Sequence, residues 1–218
     1  MKFNELPFNA RPDLTPYLLH LTKRRVVKGK QQSAYANLVS ILREGKLVGS
    51  GRGGHIKGGH TATCFMDVPF ASLKYVLTPE NRDPEKPRYE PYGICILKTT
   101  AYSKGCRPVL YLSDKEMKDV NVSQAEKWRV VMFDVRNESW ISWLHEREWR
   151  AKGDLSLPPN PLAALVRNPK RAQQLQEEIA KGDFKCVPQS IIPLSLVCQG
   201  FLPVTLNHPL IPDVQRGR

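Results

Sequence analysis

An α+β fold is predicted for this chain from three features. Short runs rich in β-branched and aromatic residues recur along it, amphipathic helical stretches lie among them, and the two kinds follow no regular βαβ alternation. Its 218 residues suffice to bury a core without staples. Charged residues make up 25 % and hydrophobic residues 41 %, the proportions of a globular chain rather than a disordered one.

Residues 1–16 are polar and proline-punctuated, which predicts an N-terminal arm ahead of a single domain at 17–201. Tyr17-Leu18-Leu19-His20-Leu21-Thr22 is a short apolar run, as expected of a buried strand. Residues 23–32 read as a basic loop carrying Lys23, Arg24, Arg25, Lys28 and Lys30. Ser33 is placed to cap a helix in which Ala34, Leu38, Ile41 and Leu42 form one apolar stripe, and Gly45 suits its left-handed end. Residues 49–60 form a Gly-rich basic loop, 61–65 a strand, and Val68-Pro69 opens a helix through Val76. Residues 78–91 are a long, polar, proline-rich loop.

Further strands are expected at 92–97, 108–112, 128–133 and 148–157, from their β-branched and aromatic content. Residues 169–181 predict a charged amphipathic helix with Leu175 and Ile179 on one face and Gly182 after it. Residues 184–187 and 191–201 predict a last strand and a short helix, and 202–218 a proline-containing tail. There is no internal repeat.

No run of eighteen apolar residues and no signal-peptide core is present, so a soluble, cytoplasmic protein with no membrane partner is expected. Cys64, Cys95, Cys106, Cys186 and Cys198 are odd in number and widely spaced, which predicts free thiols and no metal site. The net charge of +12 favours an anionic partner: RNA, DNA, a nucleotide cofactor or an acidic protein. Solubility alone is the other explanation of such an excess.

Four constellations could carry chemistry. In His145-Glu146-Arg147-Glu148-Trp149-Arg150 an extended chain would put Glu146, Glu148 and Arg150 on one face. Paired carboxylates beside a cation suit stabilisation of a positive transition state, and equally a surface strand of mixed charge. His20 and Thr22 share a face of the first strand, able to hold a ribose or an amide, or to be satisfied core residues. The Gly-rich loop offers Arg52, His55, Lys57 and His60 for phosphate, without matching a nucleotide-binding fingerprint. Asp67 most simply caps the helix after it, and the Tyr92-Gly93 and Pro108-Val109-Leu110-Tyr111 segments read as structural.

The order of these motifs resembles a known family. His20-x-Thr22 is followed by Asn37-Leu38-x-Ser40-Ile41-Leu42-x-x-Gly45-x-Leu47, then Cys64-Phe65-Met66-Asp67-Val68-Pro69 and Tyr92-Gly93-Ile94. Pro108-Val109-Leu110-Tyr111 and Glu146-x-Glu148-Trp149-Arg150 complete the series, which spans about residues 17–157. It resembles abortive phage-resistance proteins of the AbiGi type and, more distantly, DarT-like ADP-ribosyltransferases that modify DNA. The resemblance implies an ADP-ribosyltransferase-like split, mixed β-sheet with flanking helices and NAD in the cleft between its halves. It implies Glu148 as the catalytic carboxylate, Glu146 as the second one, and His20 and Thr22 on the nicotinamide and its ribose. Arg52 is the positional counterpart of the NAD-binding arginine, and Tyr75 is a candidate to stack on nicotinamide. ADP-ribose would pass to an anionic acceptor, RNA or DNA in first place, recruited by Lys23, Arg24, Arg25, Lys28, Lys30 and Lys57. Some members of such families are inactive or act as antitoxins, so a catalytically inactive nucleic-acid-binding or partner-binding module is the other expectation, and a neutralising or activating protein partner is expected with either. The enzyme would act in phage defence or as a toxin, and the binding module in a defence or toxin-antitoxin system.

Overall fold

The computed structural model describes residues 11, 13–27, 29–51, 55–83, 85–136 and 139–198. The expected tail at 202–218 and most of the expected arm lie outside this set, as do Lys28 and Arg52. Strand β1 (Tyr17–Thr22) leads into a hairpin, β2 (Arg25–Val27) and β3 (Lys30–Gln32), and then into helix α1 (Ala34–Glu44). Ser33 caps α1 by accepting from the Ala36 amide, and Gly45 ends it at φ +66°. Both ends therefore form as the sequence predicts.

β4 (Lys46–Leu47), β5 (Ala62–Phe65) and a 3₁₀ turn at Phe70–Tyr75 follow. The turn replaces the α-helix expected at 68–76, and Pro69 stands just before it rather than inside it. Next come β6 (Tyr92–Leu97), α2 (Lys98–Ser103), β7 (Arg107–Pro108), β8 (Leu110–Leu112) and α3 (Asp114–Asp119). A capping box between Ser113 and Glu116 starts α3, a helix not expected from the sequence. The strand expected at 128–133 is shortened to β9 (Val130–Met132), because Gln124–Arg129 forms a 3₁₀ turn.

The remainder comprises β10 (Asp134–Arg136), β11 (Ser139–Ile141), β12 (Trp149–Lys152), β13 (Leu155–Ser156), β14 (Ala163–Val166), α4 (Pro169–Ala180), β15 (Ile191–Pro193) and α5 (Leu194–Val197). Residues 184–187 hold no strand, and the described part of 191–201 forms strand β15 and then the short helix α5.

The strands form a mixed α+β arrangement of several small sheets. The largest has the order β1-β6-β14-β15, parallel only between β14 and β15. A second has the order β5-β12-β7. The two meet at one isolated antiparallel bridge, where Leu19 and Met66 exchange hydrogen bonds of 2.9 and 2.7 Å. One face of β1, carrying Leu18, packs with Phe65, Ala151, Ile94 and the apolar stripe of α1. The opposite face, carrying Leu19, packs with Met66 and the Phe70–Tyr75 turn. Among the described residues all five cysteines are free, and no helix is long and apolar enough to cross a membrane.

Candidate functional site

His20 and Thr22 follow Leu18 in the two-residue period of β1 and so turn to the α1 face. Asn37 of α1 donates through Nδ2 to the Thr22 hydroxyl and, at 3.2 Å, to the Lys23 carbonyl. His20 Nδ1 lies 2.8 Å from the Cys64 carbonyl, and its ring meets Phe65 edge-on. A carbonyl only accepts, so Nδ1 carries the proton. Burial pushes the His20 pKa down, against the Cys64 contact that raises it, and the imidazole is held neutral. Beside it is a cavity of about 60 Å³ lined by Asn37, Ser40, Glu44 and Lys46 among others. That volume takes a few waters, against roughly 300–1,000 Å³ for a typical ligand site.

The two glutamates do not share a strand face. Leu144–Glu146 is a 3₁₀ turn closed by Arg147 in the left-handed conformation at φ +44°, and β12 begins only at Trp149. The extended run expected from Glu146 onward is thus broken. Its physical cause is Arg147, whose guanidinium donates to the Asp67 carbonyl at 2.7 Å and to the Asp13 carbonyl. Glu146, buried, instead accepts from Arg88 at 2.9 Å and from the Tyr89 hydroxyl. Arg88 also stacks 4.0 Å from the Trp143 ring. Burial raises the Tyr89 pKa, and the Glu146 carboxylate raises it further.

Glu148 and Arg150 do share a face and form a two-pronged pair, Nε to Oε1 at 2.8 Å and Nη2 to Oε2 at 3.1 Å. Both are almost fully buried. Arg150 Nη1 donates in addition to the Trp128 and Val130 carbonyls. Burial opposes the charged guanidinium, but the Glu148 carboxylate outweighs it and raises the Arg150 pKa. The Cys64 thiol is pushed up by burial and then by Glu148. Tyr111 accepts from the Glu148 amide at 3.1 Å. Its phenol pKa is raised by burial, against the Glu148 amide hydrogen bond that lowers it, with the Glu148 and Glu146 carboxylates adding to the rise.

These groups lie on opposite faces of the β5–β12 pair. Phe65 is paired with Trp149 on the α1 side, where His20 and Thr22 point. Cys64 is paired with Arg150 on the other side, where Ala62, Ile56 and Trp128 pack. The expectation of one pocket shared by His20, Thr22, Glu146 and Glu148 is therefore not met.

Tyr75 also stands apart. It is 70 % exposed, and its turn packs on the Leu19 face, away from His20. Asp67 caps no helix; it accepts from the Thr15 hydroxyl at 2.9 Å and pairs with Lys98 at 2.8 Å, tying the start of β1 to α2. Among the described residues no group of three or more His, Cys, Asp or Glu side chains is arranged to hold a metal ion.

The basic segment is a projecting β-ribbon rather than a loop. β2 and β3 pair Arg25 with Gln32 and Val27 with Lys30, so these four side chains share one face. Every residue of β2 is exposed, Val26 at 71 %. The ribbon is fixed at its base, where Glu90 accepts from the Arg24 amide at 2.6 Å and pairs with its guanidinium at 3.0 Å. Arg24 is thus an anchor, and Lys57 is likewise paired, with Asp114 at 2.7 Å. Lys23, Arg25 and Lys30 are exposed, and none of them has a carboxylate within ion-pair distance among the described residues.

No protein-family model, no curated protein and no solved structure matches this chain.

Proposed function

We propose that the chain is a nucleic-acid-binding module, built on an ADP-ribosyltransferase-like scaffold and acting in phage defence, alone or with a neutralising or activating protein partner. The observation that carries this reading is the anchored ribbon. Its Arg25 and Lys30, and Lys23 just ahead of it, are exposed, with no carboxylate partner among the described residues, on a chain of net charge +12. A two-stranded ribbon fits the major groove of a duplex, and cations along it neutralise phosphates. Filter binding to RNA, single-stranded DNA and duplex DNA at stepped salt tests it. Retention that weakens steeply with salt is expected, and no retention on any of the three sinks the proposal.

A second reading, NAD-dependent ADP-ribosyl transfer, is favoured by the parting of the sheets. β1 and β5 are joined at the Leu19–Met66 bridge, with β1 otherwise paired to β6 and β5 to β12. A cofactor would have to open that junction, and Glu148, just ahead of β12, could then stabilise an oxocarbenium-like cation at the nicotinamide ribose. Glu148 would have to leave Arg150 to do so. Nicotinamide release from NAD, lost in a Glu148→Gln variant that still folds, would establish this reading. No release with any nucleic-acid or protein acceptor would remove it.

A further inference from the structure

A hollow of about 460 Å³ lies beside the Gly58-Gly59 turn, on the α3 side of the molecule. The turn is built rather than loose. Gln124 donates to the Gly58 carbonyl at 2.9 Å, and a His60 ring nitrogen lies 3.0 Å from the Gln124 carbonyl. Gly58 and Gly59 sit at φ +76° and +71°, and a Cβ at Gly58 would come within 2.8 Å of the Lys127 Cβ. Their two backbone N–H groups have no acceptor among the described residues.

Lys57 and Lys127 line the hollow, both half-buried. Lys127 has no carboxylate partner among the described residues. The Asp114 carboxylate that pairs with Lys57 is 64 % exposed, so an incoming anion can take its place. Ile56 and Met117 supply an apolar wall. Two ammonium groups, two free amides and an apolar wall, in a volume within the small-ligand range, match a phosphate joined to a flat organic group.

We propose that this hollow is a nucleotide site, with phosphate on Lys57, Lys127 and the Gly58-Gly59 amides and the base against Met117. The nucleotide comes either free in solution or as one unit of a bound strand. Only the strand source rests on the nucleic-acid reading above.

The test is nuclear magnetic resonance on the full chain, following the Gly58 and Gly59 amides and the Met117 methyl. The probes are adenosine monophosphate, adenosine and a short oligothymidylate. The proposal expects saturable shifts with the monophosphate, the oligonucleotide or both, but not with adenosine. Removing one cation, in Lys57→Gln or in Lys127→Gln, should weaken binding of the monophosphate and lower the salt slope of oligothymidylate binding by about one unit. A response to the monophosphate alone keeps the site while removing the strand source. Equal shifts with adenosine, shifts that survive in the double variant Lys57→Gln with Lys127→Gln, or none with any probe overturn the proposal. Should the double variant not fold, the adenosine comparison on the unaltered chain decides.

Discussion

Arg150 and Glu148 set the chemistry of the second sheet. A buried ion pair adds little net stability over apolar residues, but removing one partner strands the other charge in a dry site. Arg150→Ala should therefore cost about 3–5 kcal/mol, read as a fall in denaturant midpoint. Glu148→Gln, which keeps an acceptor, should cost less, about 1–3 kcal/mol. A cost below about 1 kcal/mol in both variants would contradict the pairing. The consequence for function is direct, because loss of any activity in Glu148→Gln has to be weighed against a stability measurement on the same variant.

His20 carries the molecule's clearest pH signature. Its pKa is lowered in the fold, so below about pH 6.5 the unfolded chain binds a proton that the folded chain refuses. Stability from this group is complete above that pH and is lost as the pH falls toward the folded value. The stability difference between the unaltered chain and His20→Gln should shrink from pH 7.5 to about pH 5, and a pH-independent difference would show that the ring is not held neutral.

At the scale of elements, what is legible in the sequence depends on whether the cause is local. α1 is readable because Ser33, its apolar stripe and Gly45 lie within one turn of what they determine. β6 is readable because Tyr92–Leu97 is buried on both faces and apolar throughout. The ribbon is not, since Arg25, Lys30 and Gln32 give no apolar alternation and the hairpin buries no core. The start of β12 misleads because Glu-Arg-Glu-Trp-Arg alternates on paper, whereas Arg147 is turned by carbonyls of Asp13 and Asp67 far away in the chain. Tyr89, Arg88 and Trp143 around Glu146, and Tyr111 beside Glu148, come from distant segments and leave no signal next to the glutamates. Gly93 offers a test at this scale. Its added Cβ would sit 2.3 Å from the His20 carbonyl oxygen, so β1 and β6 must separate to admit it. Gly93→Ala should cost about 1–3 kcal/mol and move the His20 ring resonances, and unchanged resonances would contradict the close approach.

For the whole molecule, charge is distributed by purpose. Three cations that are buried or half-buried are matched: Arg150 to Glu148, Lys98 to Asp67, Arg24 to Glu90. The ribbon's Lys23, Arg25 and Lys30 are left to the solvent, and they stand on a base fixed by Arg24 and Asn37. The ribbon and its base thus give three of the chain's unpaired cations one address.

Fluorescence anisotropy with labelled duplex DNA, comparing the unaltered chain with one carrying Lys23→Glu, Arg25→Glu and Lys30→Glu, reads that address most directly. The log affinity should fall linearly with log salt. The variant should bind more weakly, with a slope smaller by about one unit for each phosphate it no longer neutralises. Identical affinity and slope in the two chains would contradict the ribbon as the binding element.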